Sequence, residues 1–537
     1  MSESTIAATR SLPEAPSLEY LRNQAKSLHK AIQANDPDAL SRLRAVHPQF
    51  PADRPRTNTD ESSFRQRPLD IPLPARNERG GRGNEGDGLT DAQLVIAREY
   101  GFESWPKLKA EVDARTAEQL VRQFKSAVDA GDAEQVGKLL RSHPILRRKI
   151  DSPWFSFDSP AIVRAASSGN RPMIDALLAA GANVNVRSSW EPGGFGTLDN
   201  ADPETAAYLI SKGAYVDIHA AAKLGDLARV RELVENDPSL VNARGGDGQT
   251  PLHFASTIEI CAYLLDHGTE INTRDIDHIS TAAQYSIRNP EKLRYLVDHD
   301  AEADIFIACR LGDKNLALKL LNETPDCLRW RLSHPSYRHD AGHIYMYLLS
   351  AAARPLTLAA DYGGHEYYEF LLTKTSPVVR LLLACAFADK AGVDNVLRES
   401  PDVVRTLTAD DAAFIVDAAW ENRLDAVRTM LDAGFDIDAR GMEDGTALER
   451  AAVRGWAPLV RLLIERGASL DIRNQYGGVP LGAALWGSEN WPRDKGNHPE
   501  CVEALIDAGS SLPDQLSGGP EVQEILKKHG VGQKEGA

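Results

Sequence analysis

The chain has 537 residues, 42% hydrophobic and 26% charged, a normal globular mix that excludes wholesale disorder. Lys and Arg total 61 against 77 Asp and Glu, and the formal charge of −16 repels phosphate backbones and sets aside non-specific nucleic-acid binding. The five cysteines, at 261, 309, 327, 385 and 501, are scattered and never form C-x-x-C, which argues against a disulfide framework or a zinc ribbon and for a reducing compartment.

In chain order, residues 1–17 lack a basic start followed by an apolar stretch, so a disordered N-terminus without a secretory signal is expected. The longest uninterrupted apolar run, 381–388, is far short of a membrane span, and a soluble cytoplasmic protein with no membrane partner is expected. Residues 18–115 read as two helix pairs, LRNQAKSLHKAIQANDPDALSRLRAVHP (21–48) and LTDAQLVIAREYGFESWPKLKAEV (89–112). Between them, 51–88 holds five Pro, five Gly, seven Arg and seven Asp or Glu, the composition of a polar linker.

Internal repetition dominates the rest. Asp36 precedes Pro48 by twelve residues, and the same interval separates Asp132 from Pro144, Asp226 from Pro238, Asp313 from Pro325 and Asp389 from Pro401. Each reads as an Asp N-cap, an amphipathic helix and a proline stop. A second pattern places Gly after a Leu-rich helix and before an Asn or Asp turn, as in ALLAAGANVN (176–185), YLLDHGTEIN (263–272) and LLIERGASLD (462–471). Gly181 and Gly213 lie 32 apart, Gly434 and Gly467 33 apart.

D-G-x-T-P-L-H-F-A at 247–255 and DGTALERAAVRGWAPLVRLLIERGASLDIR at 444–473 resemble ankyrin repeats. The resemblance implies units of about 33 residues, each a hairpin loop followed by two antiparallel helices. The fold class expected is therefore all-α, an ankyrin-repeat solenoid with an N-terminal helical extension. About twelve units fit between 116 and 513, with first helices near 117, 159, 201, 218, 250, 280, 304, 355, 381, 412, 446 and 479. Residues 514–537 supply a polar capping helix, EVQEILKKHG (521–530), and a tail. The two N-terminal helix pairs, and more weakly 486–509, resemble the leader of many bacterial ankyrin-repeat proteins. That implies a bacterial source and brings no established activity with it.

Several residues are candidates for a site. His253 in TPLH, in the resemblance, bonds to neighbouring backbone and is a spacer. Trp154, Phe155, Phe157 and Asp158 precede one expected helix, and Trp190, Phe195 and Asp199 lie in the Gly-rich connection 187–200. Both stretches are expected at loop tips of adjacent units, close enough to touch, where rings beside carboxylates suit a sugar or a peptide side chain. A third tip carries Asp275, Asp277, His278 and Ser280, followed by Gln284 and Tyr285, and its Asp–His pair resembles half of an acid–base couple. His334, His339, His343 and His365 cluster in 333–368. His339 and His343 are spaced i, i+4 and would share a helix face as metal ligands, but Pro and Gly nearby favour a loop with surface histidines. The insertion from Trp486 to His498, expected between the two helices of the last unit, carries Glu489, Trp491, Arg493 and Asp494. No dinucleotide, P-loop or nucleophile-elbow signature is present, GGFG at 193–196 is too short for a phosphate loop, and no cofactor is expected.

These readings converge on a binding scaffold that meets a protein partner along a concave groove and loop tips. The alternative is a hydrolase- or lyase-type enzyme, or a binder of a small polar ring such as a glycoside. Asp158, Asp199, Asp277 or His278 would then act as acid or base, with Trp154 or Trp190 as platforms.

Overall fold

The structure, a computed structural model, describes residues 8–13, 16–46, 86–337, 342–491 and 496–532. The chain divides into two compact units, Met1–Val186 and Arg187–Ala537. Among the described residues every regular element is a helix, and extended pairing is limited to two isolated bridges, Phe155 with Ser159 and Arg274 with Thr281.

In the first unit, helices Leu18–Gln33, Pro37–Val46 and Gly86–Glu99 enclose a core of Leu21, Ala25, Leu28, Val95 and Ile96. The expected linker 51–88 lies outside the described residues as far as 85; its last three residues open helix Gly86–Glu99. The buried Glu99 carboxylate holds this bundle, taking Arg42 at 2.7 and 3.0 Å and Arg10 at 3.5 Å. Helix Trp105–Asp129 then runs for 25 residues. No Gly or Pro interrupts it after Pro106, so it passes unbroken through position 115, where the leader was expected to end. Its early residues Leu108 and Val112 join the bundle core, while Phe124, Ala127 and Val128 near its end are buried ahead of helix Ala133–Ser142.

The twelve-residue Asp-to-Pro interval has a local cause. Helices Ala133–Ser142, Leu227–Asn236, Lys314–Glu323 and Lys390–Glu399 each have ten residues; one N-cap and one C-cap complete the interval. Asp132, Asp226, Asp313 and Asp389 each accept a backbone N–H of the first turn. The C-caps His143, Asp237, Thr324 and Ser400 all leave the helical region, at φ −125°, −146°, −144° and −139°, because the ring of a following proline excludes it.

In the second unit short first helices alternate with longer second helices. Ile218–Leu224 is followed by Leu227–Asn236, Ile305–Leu311 by Lys314–Glu323, Phe414–Trp420 by Leu424–Ala433 and Ala447–Arg454 by Ala457–Glu465. One continuous apolar core links them, from Ile218 to Val531. A buried ionic group interrupts it. Arg354 is fully buried and its Nε donates to Asp417 at 2.6 Å, while Arg331 reaches the other Asp417 oxygen at 3.0 Å. Arg329 grips Asp411 nearby at 2.8 and 2.5 Å.

Candidate functional site

The hairpins of the second unit are hydrogen-bonded tip to tip. The Asp247 N–H donates to the Gly193 carbonyl at 3.1 Å, and the Asp247 carbonyl accepts from Ile276 at 2.9 Å and Asp277 at 3.2 Å. The close fit explains the glycines of 193–196. A Cβ on Gly193 would stand 2.0 Å from the Gly245 oxygen, and one on Gly246 would meet the Phe195 ring at 2.3 Å. The GGFG stretch is thus a docked loop, and Phe195 is packed against the next hairpin.

This ladder assembles a half-buried polar group. Trp190 donates its indole N–H to Asp247 Oδ1 at 3.1 Å. Across from it, His278 Nε2 lies 3.9 Å from Asp247 Oδ2 and 3.5 Å from Asp277 Oδ2. The other ring nitrogen, Nδ1, bonds the Gly342 carbonyl at 2.9 Å, which as a pure acceptor makes Nδ1 the donor. Asp275 braces the tip, accepting from the His278 and Ser280 N–H groups at 3.0 and 2.6 Å and from the Tyr285 hydroxyl at 2.9 Å. Burial, and the Asp277 carboxylate beside it, push the Asp247 carboxyl up to about 6. Tyr285, buried against Asp275, is held well above the usual phenol range and stays a donor.

Other candidates have structural partners. Asp199 is buried and taken up by Arg187 at 2.9 Å and the Gly196 N–H at 2.7 Å, so its carboxylate is committed to the loop. His253 accepts from the Thr250 N–H through Nδ1 at 3.1 Å and meets the Ser280 carbonyl through Nε2 at 3.2 Å. Burial pushes its pKa down to about 3. In the first unit, Trp154 packs edge-on against Phe124 at 5.6 Å, and Phe157 and Asp158 are exposed with left-handed φ of 58° and 46°. Trp154 and Trp190, expected in adjoining loops, fall in different units. His339 lies outside the described residues. His343 is buried rather than superficial, capping helix Ile344–Leu348 and wedged against Tyr337 and Tyr345. Arg493 and Asp494 also lie outside the described residues. Trp486 and Glu489 stand on helix Pro480–Asn490, which extends into the expected insertion, and His498 is buried on the Val453 carbonyl at 3.1 Å.

A second feature was not singled out in the sequence. A recess of about 430 Å³ is lined by Arg288, Arg310, Arg423 and Arg454 and only two carboxylates, Asp361 and Glu421, so four minus two leaves a formal excess of two positive charges. Arg423 is bound to both acids, at 2.9 Å to each. Arg454 instead lies over three indoles, 4.9 Å from the ring centre of Trp420, 5.4 Å from Trp456 and 4.4 Å from Trp491. Burial lowers its pKa. Arg310 stacks on Tyr362 at 4.0 Å and donates to the Ile287 carbonyl. The available signal was positional: Arg310 and Arg454 both stand in the last turn of a short first helix that ends on a left-handed Gly. Of the flagged residues only Trp491 belongs to this group.

The family model described as ankyrin repeats (three copies) matches residues 197–275 and again 218–307. The fold is of the ankyrin-repeat class, all-helical among the described residues. Among curated proteins the chain is 24% identical over 328 residues to the E3 ubiquitin-protein ligase KEG of Arabidopsis thaliana, covering 55% of this chain and 19% of that protein. It is 30% identical over 115 residues to the ankyrin repeat and SAM domain-containing protein 6 of Rattus norvegicus, covering 20% and 13%. It is 22% identical over 378 residues to the putative ankyrin repeat protein FPV022 of fowlpox virus, covering 67% and 61%. The chain thus spans under a fifth of the ligase's length. A solved structure, the ankyrin repeat domain of Bcl-3, aligns with 54% of this chain and 97% of its own at 19% identity and a TM-score of 0.23. No helix among the described residues is long and apolar enough to cross a membrane.

Proposed function

We propose that the chain is a protein-binding scaffold whose partner places an acidic group in the recess between Arg310 and Arg454. The observation behind this is the recess itself: an excess of arginine in a chain of net charge −16. Arg454 is held over fixed indoles, so little ordering cost remains when an anion arrives. Tyr362, stacked on Arg310, and Tyr347, whose carbonyl accepts from Arg288, are 51% and 59% exposed, the rigid aromatic rim expected of a protein-contact surface. In this proposal the repeat array occupies 116–513 behind a helical leader, in the cytoplasm of a bacterium. Its five cysteines, all unpaired and buried, suit a reducing compartment.

The test is a photo-crosslinking residue introduced at Tyr362 in the cell, with a second at Tyr215, which is also exposed, as control. An adduct of one mass is expected at 362 and not at 215, lost when Arg310→Glu reverses the local charge. The same adduct at both positions, or one indifferent to Arg310→Glu, overturns the proposal.

A further inference from the structure

Asp247 and Asp277 bring two carboxylates together where no described arginine or lysine stands within ion-pairing distance of either. Their side chains are each 13% exposed, and that of His278 is 11% exposed. One ligand atom from each of the three, a carboxylate oxygen from either aspartate and a ring nitrogen, lies within 4.8 Å of the others. Among the described residues neither aspartate has a lysine or arginine within ion-pairing distance. The other D-G hairpin makes the contrast. Glu443 occupies the station of Asp247, with the same left-handed φ of 54°, and its carbonyl likewise accepts from the next tip, Gln475, at 2.9 Å. There the carboxylate is met by Arg450 at 2.9 Å. At Asp247 no described residue supplies the equivalent arginine, and a second carboxylate stands beside it.

The orientation of His278 supplies the rest. With Nδ1–H given to the Gly342 carbonyl, Nε2 of the neutral ring carries a lone pair, and that lone pair faces two anions. A positive charge between the three atoms, a metal ion or a proton on Nε2, offsets the two carboxylates. Trp190 fixes one oxygen of Asp247 and leaves the other turned inward. A backbone carbonyl on the far ring nitrogen and a donor on the far carboxylate oxygen are the supports metal ligands ordinarily have. The two nitrogen-to-oxygen separations, 3.5 and 3.9 Å, are slightly wider than the roughly 3.0–3.4 Å that bonds of about 2.0–2.1 Å produce, and all three atoms lie within 4.8 Å of one another, so an ion would draw the two carboxylates together.

We propose that Asp247, Asp277 and His278 bind one first-row divalent transition-metal ion, of the Mn²⁺ or Zn²⁺ kind, with the remaining positions open to water. One imidazole and two carboxylates suit these ions, whereas Ca²⁺ takes oxygen ligands alone. The ion ties the tip of one repeat to the next, independently of the arginine-lined recess.

The full chain, stripped with chelator, is titrated calorimetrically with MnCl₂ and with ZnCl₂ at pH 7.5. One ion per chain is expected. Asp277→Asn and His278→Gln should each weaken binding at least tenfold, while His365→Asn, on an exposed side chain, should not. No stoichiometric ion in the wild type means that an imidazolium proton closes the cluster, and the proposal fails. Binding that survives both variants places the ion elsewhere and also overturns it. Should the variants fold poorly, crystals of the wild type grown with Mn²⁺ decide: an anomalous peak among the three side chains supports the site, and its absence there refutes it.

Discussion

The sharpest test of the packing argument is the Arg354–Asp417 pair. Arg354 is 0% exposed and Asp417 2%, so neither charge has water to fall back on. Burial alone pulls the guanidinium pKa down, and the neighbouring carboxylate opposes that. Arg354→Met removes the 2.6 Å bond to Asp417 and the 2.7 Å bond to the Asp410 carbonyl, and leaves Asp417 with Arg331 alone. Breaking one side of a buried pair costs about 3–5 kcal/mol, most of it the penalty on the charge left behind. Asp417→Leu strands Arg354 and should cost a similar amount. The double variant removes both charges and refills the space with apolar side chains, so it should lose far less than the sum, with an interaction energy of about 2 kcal/mol or more. Urea unfolding at pH 7 gives the cycle, and amide exchange locates it: loosening should centre on 329–420, because each repeat touches only its neighbours. Single costs under about 1 kcal/mol, or strict additivity, would refute the claim that this pair is desolvated and mutually dependent.

Three further expectations follow from named contacts. Leu463→Ala, at a fully buried position of helix Ala457–Glu465, should cost about 2–5 kcal/mol, with exchange loosening confined to 446–513; a uniform change along the chain would contradict an array. Lys292 is buried and its ammonium donates to the carbonyls of Leu252, His253 and Ala255 at 3.0, 3.2 and 2.7 Å, closing the end of helix Pro251–Phe254; Lys292→Met should cost about 2–3 kcal/mol in chemical denaturation, and a neutral result would show that water replaces the ammonium. His253 is faced by Lys292, Arg244 and the Thr250 and Ser280 backbone, and its pKa of about 3 lies below the ordinary 6.5. The unfolded chain therefore binds the extra proton, and the His253 contribution is whole above pH 6.5 and lost as pH falls towards 3. Between pH 7 and pH 5 it should amount to about 2 kcal/mol, absent from a His253→Gln variant whose denaturation is followed over the same range.

Much of the architecture is legible in the sequence because its causes are local. An Asp, ten helical residues, a C-cap and a proline give a twelve-residue interval whatever the repeat packs against, since capping and the pre-proline restriction act within a few bonds. The glycines after the second helices sit at left-handed φ for an equally local reason, as at Gly434 and Gly467. Where the local signal concerns side-chain surroundings it is weaker. Pro and Gly around His343 in sequence favour a surface position, yet Tyr337 and Tyr345 close over it. Trp190, expected at a loop tip, is half-buried, its N–H held by Asp247.

The candidate sites belong to tertiary structure, and the reason is visible at Asp247. In sequence it is the Asp of an Asp-Gly turn, an ordinary role for that residue, and nothing adjacent marks it as a ligand. Thirty residues later Asp277 and His278 form another tip. Only the hydrogen bonds from Ile276 and Asp277 to the Asp247 carbonyl bring the two acids face to face, and those bonds depend on the register of one hairpin against the next. The arginine-lined recess is spread more widely, over residues 288 to 454, with Arg310 and Arg454 at the same station of first helices several repeats apart. A charge at that station is an ordinary helix-terminal cation on its own. It becomes part of the proposed binding surface only because stacking repeats places it in the same recess as three other arginines. In a repeat protein, therefore, residues at one repeat station gain function through their neighbours in adjoining units, and comparing stations along the array exposes such sites better than any linear motif.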